Sequence, residues 1–280
     1  PTPQIQADCP QYLDFVQTGT GADGQALGTG CVYPKSVKTL AGQLTAKQLT
    51  WGAYMEDMGN NPAREPATCG HPALGAADPT LRASVGDQYA TRHNPFVYFH
   101  EITDTKACAA NDVPLPRLVK DLRSVKTTRN FSMITPNLCN DGHDEPCVDG
   151  KPGGLVSADA FLKTWVPRIT SSPAFKKDGP LGITFDEAEA GGAEADSSAC
   201  CNPPTYPNVA NNALVTPGPG GGKIGAVMLS RFIKPGTKST KSYNHFSFLA
   251  SVEQNFGLKK LGYAARPGLA TFGKDILNKK

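Results

Sequence analysis

Residues 115–135 read LPRLVKDLRSVKTTRNFSMIT, and the reading of this stretch decides the fold. Leu115, Leu118, Val119 and Leu122 recur at the spacing of one helix face, so Leu115–Ser124 is predicted as an amphipathic helix, and Phe131–Thr135 is predicted as the strand after it. Working outward, the same alternation repeats. Upstream, Val37–Lys47 reads as a helix and Leu49–Asp57 (LTWGAYMED) as a strand. Downstream, Ser157–Thr170 reads as a helix with a Ser cap and an Asp in its first turn. Leu181–Phe185 and Lys223–Leu229 then read as strands, and Ser247–Phe256 as a closing helix. Strands separated by helical segments are βαβ units, so the expected class is α/β, a mostly parallel sheet flanked by helices, with long Pro/Gly loops and a single domain over residues 1–280.

The composition narrows the function classes. A 39% hydrophobic content supports a real core, and 28 basic against 25 acidic residues give a net charge of +3 spread along the chain. That balance argues against nucleic acid or a membrane surface as a dedicated partner. No apolar run approaches the roughly 20 residues of a membrane span. The eight cysteines form no paired C-x-x-C zinc pattern; with 24 Pro and 29 Gly they point to disulfides and an oxidising compartment, secreted or periplasmic. Cys139 and Cys147 are expected to close a tight loop, whereas Cys200 and Cys201 either bond elsewhere or form a vicinal bridge. The chain opens PTPQIQ, with neither an initiator Met nor an apolar leader, which fits a processed product or a piece of a longer chain. Residues 188–222 are a low-complexity loop, read as a functional flap or a mobile segment.

In open parallel sheets ligands bind beyond the carboxyl ends of the strands, so the residues just past each predicted strand are the first candidates for a site. FSMIT runs into PNLCNDGHD (136–144), and GITF (182–185) runs into Asp186 and Glu187. Adjacent carboxylates repel unless a cation compensates them, so Asp186 and Glu187 are candidate oxygen ligands for a hard divalent ion; the competing reading is a solvated acidic loop. His143 lies between Asp141 and Asp144, which would raise its pKa and favour an imidazolium able to contact a phosphate oxygen or protonate a leaving group; an ordinary surface histidine is the alternative. His245, in SYNHFS (242–247), stands where a helix N-terminus would suit an anion, or simply begins the helix. His93 is expected to pack, and His71 and His100 to lie on the surface.

Five segments, WGAYMEDM, YATRHNPFVYF, FSMITPNLCNDGHD, GITFDEAEA and SYNHFSFLASVEQNFGL, occur in an order that resembles the bacterial phosphoesterase family of secreted acid phosphatases and non-specific phospholipases C, within the alkaline-phosphatase superfamily. The resemblance covers most of residues 27–264. It implies an alkaline-phosphatase-like fold and metal-dependent hydrolysis of phosphate esters, on a small phosphate ester or a phospholipid head group. It also implies Asp186 and Glu187 as metal ligands, His143 and His245 as histidines lining the phosphate, and Asp141 and Asn140 as neighbours that shape the loop; carboxylate ligands suit calcium, magnesium or manganese. The family's Glu-Asn strand and its Ser or Thr nucleophile have no counterpart here; Glu56-Asp57 imitates the former, but its neighbours match a later segment. The chain is therefore expected to start downstream of the attacking residue. It would then be a fragment, a clipped protein whose front segment is a separate chain, or a shortened relative. That last form would be a non-catalytic secreted module retaining metal and phosphate affinity.

Overall fold

The computed structural model describes residues 3–21, 25–189, 191, 193, 195–203 and 220–279. Much of the predicted 188–222 loop, including 204–219, therefore lies outside the described residues. In chain order the elements are α1 (Pro3–Gln6), β1 (Val16–Thr20), β2 (Ala26–Thr29), α2 (Leu40–Ala46), β3 (Trp51–Met55), α3 (His100–Thr103), α4 (Lys106–Asn111) and β4 (Asp112–Pro114). They continue with α5 (Arg117–Asp121), β5 (Phe131–Thr135), α6 (Gly154–Thr170), α7 (Pro173–Lys177), β6 (Leu181–Thr184), β7 (Ala226–Leu229) and α8 (His245–Phe256). The chain divides into two compact units: one holds the described residues up to Thr20 and from Ala26 to Pro173, the other those from Ala174 onward together with Gly21 and Gln25.

The expected α/β class is present, with its parallel sheet in the first unit. β3 is the central strand of a three-stranded sheet ordered β4-β3-β5, parallel to both neighbours, with Ala53 opposite Asp112 and Trp51 opposite Phe131. All five β3 residues are buried, as befits a strand flanked on both edges and covered on both faces. Tyr54, Val113, Leu115, Leu118, Phe161 and Trp165 form one core cluster, which packs the sheet against α5 and α6. Each such side chain contributes about 1.5–3 kcal/mol by leaving water. The Tyr54 hydroxyl, buried with them, donates to Asp121 Oδ2 at 2.8 Å, so its polar end is satisfied. Three disulfides, Cys9–Cys31, Cys69–Cys108 and the expected Cys139–Cys147, staple the loops of this unit.

The remaining strands pair differently. β1 and β2 form an antiparallel hairpin, and in the second unit β6 pairs with β7 antiparallel, Leu181 opposite Leu229. A parallel pairing needs a crossover, usually helical, and among the described residues no helix lies between Thr184 and Ala226. Cys200 and Cys201 form the vicinal bridge rather than bonding elsewhere. No helix of the described residues is long and apolar enough to cross a membrane.

Candidate functional site

In the first unit, the chain leaves the carboxyl end of β5 through Pro136–Asp144, and two carboxylates just past β3 hold this loop. The Glu56 N–H extends the ladder by donating to the Thr135 carbonyl at 3.0 Å. The Glu56 carboxylate accepts the Asn137 N–H at 3.0 Å and the Asn140 side-chain amide at 3.1 and 3.0 Å, one contact to each oxygen. Asp57 accepts the Asn137 amide at 2.6 Å and the Gln88 N–H at 3.1 Å through one oxygen. Asn137 Oδ1 in turn accepts the N–H groups of Cys139 (3.1 Å) and Asn140 (3.0 Å), a side-chain turn that mimics backbone. Burial raises the Glu56 pKa, while the bonds from Asn137 and Asn140 work against that rise.

The far end of the loop is fastened as well. Cys139 is bonded to Cys147, and the Gly154 N–H, at the start of α6, donates to the Asp144 carbonyl at 2.9 Å. Gly153 has φ 74° and passes so close to Asp144 that a Cβ there would run into the Asp144 carbonyl, a position only glycine fills. Between these anchors stands His143, its side chain 81% exposed, with Nδ1 3.1 Å from Asp144 Oδ1. That hydrogen bond, aided by the charges of Asp144 and Asp141, raises the His143 pKa. Asp141 accepts the His143 N–H through Oδ1 at 2.9 Å, and its Oδ2 lies 3.5 Å from His93 Nδ1. Burial pushes the Asp141 carboxyl up to about 6. The first unit thus presents an exposed imidazole that carries charge more readily than a free one, on a loop tied down at both ends.

In the second unit, β6 ends at Thr184, and Asp186 and Glu187 come directly after Phe185, both exposed. Because β6 pairs antiparallel, the parallel-sheet rule does not bear on them; a histidine does. His245 is the first residue of α8, whose cap Asn244 accepts the Ser247 N–H at 2.9 Å while Ser247 Oγ accepts the Asn244 N–H at 3.3 Å, a capping box. From that position His245 Nε2 reaches the Asp186 carbonyl at 2.7 Å. A carbonyl only accepts, so Nε2 carries the proton, and Nδ1 is left as the lone-pair nitrogen of the neutral ring.

The structure therefore groups Asp141 with His143 and His93 in one unit, and Asp186, Glu187 and His245 in the other. Asp186 and Glu187 offer hard carboxylate oxygens, and among the described residues no cationic side chain forms an ion pair with the Asp186 carboxylate. Such a donor set fits a calcium-, magnesium- or manganese-like ion rather than a thiophilic one. Within this unit no third His, Cys, Asp or Glu joins the pair at ligand distance among the described residues. Two triads that do come together, Cys69, Cys108 and Asp112, and Cys139, Cys147 and Asp149, contain disulfide-bonded cysteines and so offer no thiolate.

Glu56 and Asp57, whose neighbours match a later segment than the Glu-Asn strand they imitate, hold the loop as hydrogen-bond acceptors, and His93 faces Asp141. A pair of carboxylates directly after a central parallel strand was the available signal for the first two. For His93, which faces Asp141 from 48 residues earlier in the chain, local sequence carries none.

Comparison with known proteins finds relatives of this chain among phosphatases. The phosphate-repressible acid phosphatase of Penicillium chrysogenum is 28% identical over 236 residues, which cover 82% of this chain and 44% of that protein. An acid phosphatase of Aspergillus fumigatus is 24% identical over 232 residues, 82% of this chain and 41% of that protein. A phosphatidylinositol-3-phosphatase of Mycobacterium tuberculosis is 24% identical over 255 residues, 91% of this chain and 64% of that protein. The chain thus spans less than half the length of the two fungal phosphatases. The phosphoesterase family model matches residues 15–259, a run that takes in β3, the Asn137–Asp144 loop, Asp186, Glu187 and His245, and the chain belongs to that family.

Proposed function

We propose that this chain is the metal- and phosphate-handling part of an exported phosphoesterase of acid phosphatase type, its two units forming one phosphoesterase domain. Asp186 and Glu187 hold a divalent cation, calcium, magnesium or manganese. The cation, when bound, neutralises phosphate charge and polarises the phosphorus–oxygen bonds. His245, with its Nε2–H given to the Asp186 carbonyl, keeps that segment in place and has Nδ1 left to take up a proton, after which Nδ1–H can donate to a phosphate oxygen. His143 supplies an imidazolium in acid, paired with Asp144 and held in its loop by Asp141, to stabilise phosphate oxygens or protonate the leaving alcohol. Attack on phosphorus belongs to a Ser or Thr hydroxyl that none of these segments carries. The observation that carries the reading is the 2.7 Å bond between His245 and the Asp186 carbonyl, which joins two family segments 59 residues apart. Four disulfides among the described residues support an oxidising compartment, secreted or periplasmic, and membership of the family's bacterial branch is part of the same reading.

A phospholipid-like head group is the second reading of the substrate, favoured by three exposed apolar side chains. Val148, Leu155 and Val156 are 47%, 70% and 63% exposed, beside the loop that carries His143. Apolar surface there suits a phosphate linked to an acyl or aryl body, and the name of the mycobacterial relative points the same way.

The test is hydrolysis of p-nitrophenyl phosphate and of a short-chain phosphatidylinositol phosphate by the full-length protein, stripped with chelator and reloaded with each metal. Activity should return with a hard divalent ion, fall by at least about 10²–10³-fold in Asp186→Asn, and fall similarly in His143→Ala. Full activity in Asp186→Asn would remove the ligand assignment.

A further inference from the structure

The disulfides of this protein fall into two kinds. Cys9–Cys31, Cys69–Cys108 and Cys139–Cys147 join residues 22, 39 and 8 apart, and five of their six cysteines are at most 5% exposed. Cys200–Cys201 joins chain neighbours, and both residues are only half-buried. A cross-link stabilises chiefly by shortening the loops open to the unfolded chain, an effect that grows with loop length. A vicinal bond closes almost no loop, so losing it leaves the global fold nearly as stable as before. It is also the bond that a reductant reaches most easily.

The position of this bond connects it to His245 and to the Asp186–Glu187 pair. Cys200 Sγ lies 3.2 Å from the Tyr243 carbonyl, one residue before the Asn244 cap and two before His245. The same loop is paired to Gly220–Gly222 through Gly220 N–H to Ser197 O (3.1 Å) and Gly222 N–H to Ser198 O (2.9 Å). Gly221 in turn accepts the Ala188 N–H at 2.8 Å, next to Glu187. One short loop thus leans on the chain just after the carboxylates and just before the histidine.

We propose that Cys200–Cys201 is a redox-active site: an external dithiol opens it, and the opened form shifts Tyr243–His245 and with it the His245–Asp186 bond. One thiolate of the reductant attacks one of the two sulfurs and forms a mixed disulfide, and the other cysteine leaves as a thiolate. The second thiolate of the reductant then displaces the first cysteine. Two electrons pass from reductant to protein, the dithiol ends as its own disulfide, and both cysteines end as thiols. The disulfide has no S–H, whereas the reduced Cys200 gains one to donate to the Tyr243 carbonyl, so the two states make different contacts at that residue. The effect on hydrolysis rests on the proposed phosphoesterase function; the lability of the bond and its coupling to His245 do not.

The experiment titrates the full chain with dithiothreitol under native conditions, traps thiols by alkylation, maps them by mass spectrometry, and follows the histidine ring resonances by NMR. Cys200 and Cys201 should be alkylated at reductant concentrations that leave the other six cysteines protected. The His245 signals should move and return on reoxidation, while those of His71 stay. The double variant Cys200→Ser/Cys201→Ser should show the reduced positions without reductant. Reduction of Cys200–Cys201 no earlier than the others would overturn the proposal, as would identical His245 signals in the oxidised, reduced and double-Ser forms. Movement of His245 with no change in phosphatase rate would uphold it and count against the function assigned to His245.

Discussion

His245 Nε2 and the carbonyl oxygen of Asp186 are 2.7 Å apart. The bond fixes the imidazole's tautomer and anchors the backbone that carries the Asp186 carboxylate. A partner that orients a ligand without touching the ion is commonly worth about 10–100-fold in metal affinity. His245→Ala should therefore weaken binding of calcium, magnesium or manganese to the full-length protein by that factor in isothermal titration calorimetry, with Asp186 itself intact. Unchanged affinity would mean that Asp186 is held well enough without its histidine.

Glu56 should matter to the His143 loop although it is remote in sequence. Its carboxylate is the acceptor for the Asn137 N–H and the Asn140 amide. Glu56→Ala strands those donors in a partly buried place, at a cost of about 1–3 kcal/mol in urea denaturation. Glu56→Gln keeps one acceptor oxygen and should cost less. A loop that no longer holds its shape should also show faster amide exchange at Asn140 and His143; exchange unchanged from the parent would deny Glu56 its clamping role.

The parts legible in the sequence are those set by local periodicity. Phe131–Thr135 is a strand over the predicted residues, bounded by the Asn130 side chain that accepts the Thr50 N–H and by Pro136. Helix ends are set by caps, which periodicity does not show. α2 begins at Leu40 rather than Val37, because Thr39 caps it by accepting the Gly42 N–H. α6 begins at Gly154, so Ser157, predicted as its cap, lies in the first turn and accepts the Gly153 N–H at 3.0 Å. The Asp186–His245 region carries its signal in recognisable segments, not in periodicity. The Glu56–Asn140 and His93–Asp141 relations join residues 84 and 48 apart, and only the pairing of β3 with β5 and the loop packing bring them together.

α8 begins one residue after Asn244, and its cap also sets where His245 stands. Asn244→Ala removes the acceptor for the Ser247 N–H and should destabilise the protein by about 0.5–2 kcal/mol. Asn244→Asp keeps an acceptor and should be close to neutral. If the cap positions the histidine, Asn244→Ala should also move the His245 ring resonances, whereas Asn244→Asp should not. A stability loss without that movement would separate the helix from the site.

Stability should rise as the solution is made acidic. Glu65 is 2% exposed and Asp112 fully buried, and burial raises each carboxyl to about 7. Glu65 faces Asp87, itself paired with Arg64 at 3.0 Å, while Asp112 takes one bond, from the Asn94 amide at 2.8 Å. In the unfolded chain such groups titrate near about 4. Between about pH 4 and 7 the folded state therefore holds protons that the unfolded state has released, and stability grows as pH falls through 7 and levels off near 4. Each pH unit inside that window is worth at most about 1.4 kcal/mol per group. His100, hydrogen-bonded to Asp104 at 2.8 Å and Asp14 at 2.7 Å, has a raised pKa, and its contribution is likewise present in acid and lost as pH rises through the folded value. Asp104, lowered chiefly by its bond to His100, pulls the other way only below about pH 4. Urea midpoints should consequently be higher at pH 5 than at pH 8, and the double substitution Glu65→Gln/Asp112→Asn should remove these two groups' share of that slope, leaving the share of the raised Asp141, Glu56, His100 and His143. A midpoint that falls on acidification from pH 8 to 5 would mean that these carboxyls ionise in the folded protein as freely as in water.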